Sequence, residues 1–165
     1  MSRVFLAIAV ACMTANSAFA ADSLCNVHEQ TIFSCTLDKN IVSVCASEDL
    51  SPTRGYVQYR FGPENVKIFS LPASTNPSSR ASIRERSLMF AGGGGGYIRF
   101  LNGRFQYIVY SAVGKDWGTK DGVAVERDGK LIRNFRCHNV PESKLGEEFF
   151  ISAGLAVDPE EFSIP

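Results

Sequence analysis

The chain has 165 residues with 17 basic and 17 acidic side chains, so it carries no formal net charge and lacks the electrostatic footprint of a nucleic-acid or anionic-membrane binder. Hydrophobic residues make up 45% of it, enough for a sizeable core, and the length fits one domain without demanding a second.

In chain order, Arg3 precedes the apolar run Val4 to Ala11, and Ala18-Phe19-Ala20 is followed by Ala21-Asp22. This pattern predicts a secretory signal over residues 1–20 and a mature domain over 21–165, placed in the periplasm or secreted. The apolar run is shorter than the roughly 20 residues a helical span needs, and no later segment approaches that length, so no membrane span is expected. A rival reading is a lipidated Cys12 after Ala9-Val10-Ala11, although the leucine that lipoprotein processing uses three residues before the cysteine is absent. Removing residues 1–20 takes away Arg3 and no acid, leaving a formal charge near −1.

The mature chain keeps Cys25, Cys35, Cys45 and Cys137. An even number of cysteines in an exported chain predicts disulfides, because that compartment is oxidising. Ile32–Leu37 and Ile41–Ala46 read as adjacent strands, so a Cys35–Cys45 bridge with Cys25 tied to Cys137 is geometrically compatible; the two other pairings stay open. The spacings of roughly ten residues lack the close C-x-x-C pairs of structural zinc sites, so no metal is expected.

Short runs of β-branched and aromatic residues, punctuated by Gly, Pro, Asn and Asp, predict an all-β, mainly antiparallel domain. Candidate strands are Ile32–Leu37, Ile41–Ser47, Tyr56–Phe61, Val66–Leu71, Ser87–Ala91, Tyr97–Leu101, Arg104–Ala112, Val123–Arg127 and Leu131–Cys137. Asn102-Gly103 and Asp128-Gly129 supply the positive φ angles of two-residue hairpin turns. The Ser-, Asn- and Pro-rich stretch from Pro72 to Arg86 reads as a solvated, mobile connection. From Pro141 to Gly154, a proline at a first helical position, Leu145, Phe149 and Ala153 at helical spacing, and a terminal glycine predict one helix, which Gly146 interrupts. The expected architecture is a β-sandwich or flattened barrel of about eight strands with one C-terminal helix.

Two segments stand out as candidate partner-binding sites. Gly92, Gly93, Gly94, Gly95 and Gly96, followed by Tyr97 and Arg99, read either as a loop offering bare backbone N–H groups beside an aromatic anchor, or as backbone placed where side chains would clash. No Gly-Lys-Ser/Thr follows, which argues against a phosphate cradle. Trp117, flanked by glycines and lysines, is either an exposed recognition residue or a lid over one end of the sandwich. Catalytic residues are not expected: His28 and His138 are the two histidines, Ser111 lacks a nucleophile-elbow context, and Glu147/Glu148 and Glu160/Glu161 read as solvated faces. No cofactor is expected either.

Phe33-Ser34-Cys35, Val42 to Ser47, Tyr56 to Gly62 and Phe90-Ala91-Gly92 through Tyr97 resemble a family of exported proteobacterial proteins, a likeness that implies no activity. More distantly, the chain resembles the periplasmic lysozyme inhibitors, β-sandwich proteins that push a Ser-Gly loop and a nearby Tyr into the enzyme cleft. That resemblance places Gly92 to Gly96 and Tyr97 in the inhibitory loop. Ala91 or Gly93 stands where the inhibitors carry serine, leaving backbone N–H groups and the Tyr97 hydroxyl to meet the catalytic carboxylates. The partner implied is a lysozyme; another cell-envelope protein or a glycan is the alternative.

Overall fold

The computed structural model describes residues 22–63, 66 and 68–165. The expected signal segment and Cys12 lie outside them. Strands β1 (Glu29–Leu37), β2 (Asn40–Ser47), β3 (Val57–Gly62), β4 (Phe69–Leu71), β5 (Ile83–Phe90), β6 (Gly93–Asn102), β7 (Phe105–Gly114), β8 (Gly118–Arg127), β9 (Lys130–Arg136), β10 (Glu142–Ser143) and β11 (Ala156–Val157) are joined by a 3-10 turn (Pro77–Ser82) and one helix, α1 (Glu147–Ala153). They form two sheets, ordered β10-β1-β2-β3-β4 and β11-β5-β6-β7-β8-β9, antiparallel throughout except for the parallel β11–β5 pair. Neither sheet closes on itself, so the sandwich is realised and the barrel is not.

Alternation explains the packing. Phe33, Cys35 and Leu37 of β1, and Val42, Val44 and Ala46 of β2, point inward to meet Ile98, Phe100, Val109 and Val123 of the second sheet. This shared core also takes Phe149, Phe150 and Ala153 from one face of α1. The second sheet has an outer core too. Tyr97, Ile108, Tyr110 and Ala124 are covered there by Phe162 of the C-terminal segment.

Face parity also decides the disulfides, and it corrects the expected pairing. Cys35 pairs across the ladder with Val42 and Cys45 with Thr31, so the two cysteines lie about 10 Å apart along the strands and on opposite faces. A bridge between them is excluded by reach. Inward-facing Cys35 bonds Cys137 just beyond β9, tying the two sheets together, while Cys45 bonds Cys25 of the N-terminal segment. Two disulfides indicate an oxidising compartment. No helix among the described residues is long and apolar enough to cross a membrane.

Other differences have local causes. The predicted 141–154 helix shrinks to Glu147–Ala153, because Gly146 is extended at φ 170° and β10 is drawn into pairing with β1; Gly154 caps the helix at φ 58° as expected. The segment read as a mobile connection is anchored instead. Arg80 donates to the carbonyls of Ser51, Pro52 and Ala153, and β5 begins at Ile83. Among the described residues, the strand expected from Val66 to Leu71 runs over Phe69–Leu71. Asp128 and Gly129 make the predicted two-residue turn with φ of 52° and 71°. The other hairpin shifts by one: Asn102 pairs with Phe105, leaving Gly103 (φ 59°) and Arg104 as the turn.

Candidate functional site

Of the glycine run, only Gly92 lies in a turn, at φ 68°; Gly93 to Gly96 are the first half of β6, paired to β5 and β7. A Cβ at Gly93 or Gly95 would collide with the carbonyl oxygens of Val113 and Ser111, and one at Gly96 would press on the Phe150 ring at 3.0 Å. Glycine is therefore required because backbone and ring approach closely, the second of the two sequence readings. The expected five-glycine loop is a strand.

Tyr97 and Arg99 consequently leave the surface. Both point to the outer face of the second sheet, where each is at most 1% exposed. The Tyr97 hydroxyl donates to the Glu160 carbonyl, and the ring packs edge-on to Phe162 at 5.3 Å. Burial, with the Asp158 carboxylate adding to it, pushes the phenol up to about 12. Arg99 donates to Asp158 (2.6 Å), Glu126 (2.8 Å) and Gln106, and reaches Glu160 at 3.2 Å. Burial works against its charge, but Asp158 and Glu126 outweigh this and hold its pKa above the ordinary value. Neither side chain is accessible while the C-terminal segment is seated, so the reading of Tyr97 as an exposed loop anchor is corrected.

The two segments singled out by sequence nonetheless meet. The β5–β6 turn, Ala91-Gly92, lies against the β7–β8 turn, Lys115-Asp116-Trp117: the Lys115 N–H donates to the Ala91 carbonyl, and a Cβ on Gly92 would sit 2.9 Å from that of Lys115. The Trp117 indole lies over Gly114, where a Cβ would strike the ring, and Phe90 meets it edge-on at 5.4 Å. The Lys120 ammonium stands 5.2 Å from the indole centroid. Trp117 remains 37% exposed, Val113 47% and Met89 91%. The result is a double-hairpin tip with Trp117, Phe90 and Lys120 on its outer face, Met89 and Val113 on its inner face, and Lys115 and Asp116 in the turn. Met89, Phe90 and Val113 were not singled out by sequence; their only signal is an apolar side chain beside a turn.

No match to this chain is found among family models, curated proteins or solved structures.

The remaining candidates are placed as follows. His28 is exposed, and exposed His138 lies 3.4 Å from Asp38. Glu147, Glu148 and Glu161 face solvent, whereas Glu160 contacts Arg99. Cys25, Glu29 and Cys45 converge within ligand distance of one another, but bridging consumes both thiols, leaving one carboxylate that is itself held by Arg60 at 2.6 and 2.7 Å.

Proposed function

We propose that this chain is an exported, non-catalytic binding module that docks a protein through the paired β5–β6 and β7–β8 tips. The observation that carries the reading is the merging of the Gly92 and Trp117 segments into one tip, on which Trp117 is exposed beside Lys120 on the outer face and Met89 and Val113 are exposed on the inner face. Exposed aromatic and methionine side chains are the residue types enriched at interface centres. A glycan platform is less well served, since one indole face rests on Gly114 and the Lys120 ammonium sits over the ring.

The partner to test first is an enzyme with carboxylates in a cleft, namely a lysozyme. Lys115 and Lys120 lie near Trp117 at this tip against one acid, Asp116, so an acidic cleft is complementary in charge. In this version of the inhibitor reading Trp117 replaces Tyr97 as the anchor, and the lysine ammonium groups replace the missing serine hydroxyl.

The test is a cell-wall lysis assay in which residues 21–165 are titrated against c-type, g-type and i-type lysozymes. Inhibition of one class is expected, with Trp117→Ala weakening it by about 30-fold, equivalent to about 2 kcal/mol for a central aromatic anchor. Inhibition that survives in the variant would remove the tip from the mechanism. Absence of inhibition by the folded protein would remove lysozymes as the target.

A further inference from the structure

The inward-facing positions of β8 read Val125, Val123 and then Asp121. A carboxylate thus follows two core valines on the face that meets the opposite sheet, opposite Ser111 of β7. Charge at such a position breaks the apolar pattern, and broken patterns concentrate where a chain does something other than pack. The environment repairs it only in part, through the neighbouring Ser111 hydroxyl. Asp121 Oδ1 is buried and makes no hydrogen bond, and no cation pairs with the carboxylate among the described residues.

Beside this carboxylate opens a recess of about 450 Å3 lined by Ser111, Thr119, Asp121, His138, Asn139 and Ser143, with an apolar wall from the 140–141 turn. Its outer wall is held from several sides. The Cys137 N–H donates to the Asp121 carbonyl, the His138 N–H to the Thr36 carbonyl, and Thr36 N–H to the Asn139 side chain, while the Cys35–Cys137 bridge pins the base. The recess is therefore preorganised rather than a gap between loose loops.

We propose that this recess binds a primary alkylammonium group, with Asp121 as its counter-ion. An ammonium is a compact charge with three donors. One goes to the Asp121 carboxylate where it lines the recess, and Ser111, Thr119 and Ser143, which line the same space, offer hydroxyl acceptors for the others. The alkyl stem lies along the 140–141 wall. A guanidinium would call for both carboxylate oxygens in a fork, whereas one is unpaired here. Calcium would call for six to eight oxygens, where the recess supplies a single carboxylate. Burial holds the Asp121 carboxyl above its usual range, and the Ser111 hydroxyl opposes this only in part. His138, itself facing Asp38, lines this site, whereas Lys120, next to Asp121 on β8, and Arg136 of β9, opposite Gly122, lie on the other face of the sheet.

The experiment is an NMR titration of isotopically labelled residues 21–165 with n-butylammonium, and with n-butanol as the isosteric neutral control. The expected result is saturable binding at about 1–10 mM, the range for one charge-assisted contact, with shifts centred on Ser111, Asp121 and Ser143 and none from butanol. Asp121→Asn should weaken binding at least tenfold. Ser143→Ala, at an exposed position, should weaken it about threefold and serves if the first variant is misfolded. Repeating the titration with 1,5-diaminopentane and with Nα-acetyl-lysine amide separates a free diamine from a protein lysine as the source. Equal response to butanol, undiminished binding in Asp121→Asn, or no binding at about 10 mM would overturn the proposal.

Discussion

Replacing Cys35 and Cys137 together by alanine should destabilise this domain more than replacing Cys25 and Cys45. The first bridge closes a separation of 102 residues and the second one of 20. On the chain-entropy account these loops correspond to about 4.7 and about 3.3 kcal/mol of restriction on the unfolded chain, a difference of about 1.4 kcal/mol. The structure adds to the difference, because Cys35–Cys137 links the two sheets across their shared core whereas Cys25–Cys45 fastens only the N-terminal segment to the first sheet. Against a total stability of about 5–15 kcal/mol, the Cys35/Cys137 variant lies near the edge of folding. Urea unfolding followed by far-ultraviolet circular dichroism would read the difference as a midpoint lower by roughly 0.7 M, for a slope of about 2 kcal/mol/M. A Cys25/Cys45 variant with the lower midpoint would refute the reasoning, and so would peptide mapping that recovered Cys35 joined to Cys45.

Two further outcomes follow from the same geometry. Tyr97→Ala should lower stability by about 3–5 kcal/mol as a buried aromatic deletion, whereas Tyr97→Phe, which removes only the hydroxyl bonded to Glu160, should lower it by about 1 kcal/mol; thermal unfolding of both variants checks this. Burial pushes the Glu29 carboxyl up, but hydrogen bonds from Arg60, Tyr56 and the Asn26 N–H together outweigh it and leave its pKa below the usual value. The stabilisation is therefore present above the unfolded-state pKa of about 4.3 and lost as pH falls through the lower folded value. Glu29→Gln should be less stable than wild type by about 3 kcal/mol at neutral pH, with the gap closing in acid, and a gap that stays constant in urea melts at both pH values would contradict the assignment.

How far the fold could be read in advance depended on the range of each interaction. The Asp128-Gly129 turn and the Gly154 cap are set by φ angles that their own residues prefer, and both stand where the sequence pointed. Cysteine pairing required knowing which face each strand residue occupies. That parity is visible in Phe33-Cys35-Leu37 against Val42-Val44-Ala46, once the β1–β2 register is fixed. The fate of Tyr97 was not legible, because Phe162 and Asp158 cover it from some sixty residues away and no local pattern marks a returning tail. The meeting of Gly92 with Trp117 is likewise a product of the β6–β7 register, though both segments were visible separately as glycine-flanked turns. Asp121 was overlooked because the strand was predicted to begin at Val123; extending its alternation back two residues would have exposed an acid facing inward.

The last eight residues do what a further layer of structure does in a larger sandwich. Asp158 neutralises Arg99, Phe162 fills the space between Tyr97 and Tyr110, and Arg136 donates to the Pro165 carbonyl. Without this segment Tyr97 and Tyr110 lose the ring that covers them, and the Arg99 guanidinium keeps Glu126 but loses Asp158. The outer face of the second sheet is thus finished by residues 158–165, and any change that unseats them opposes the closing of the fold.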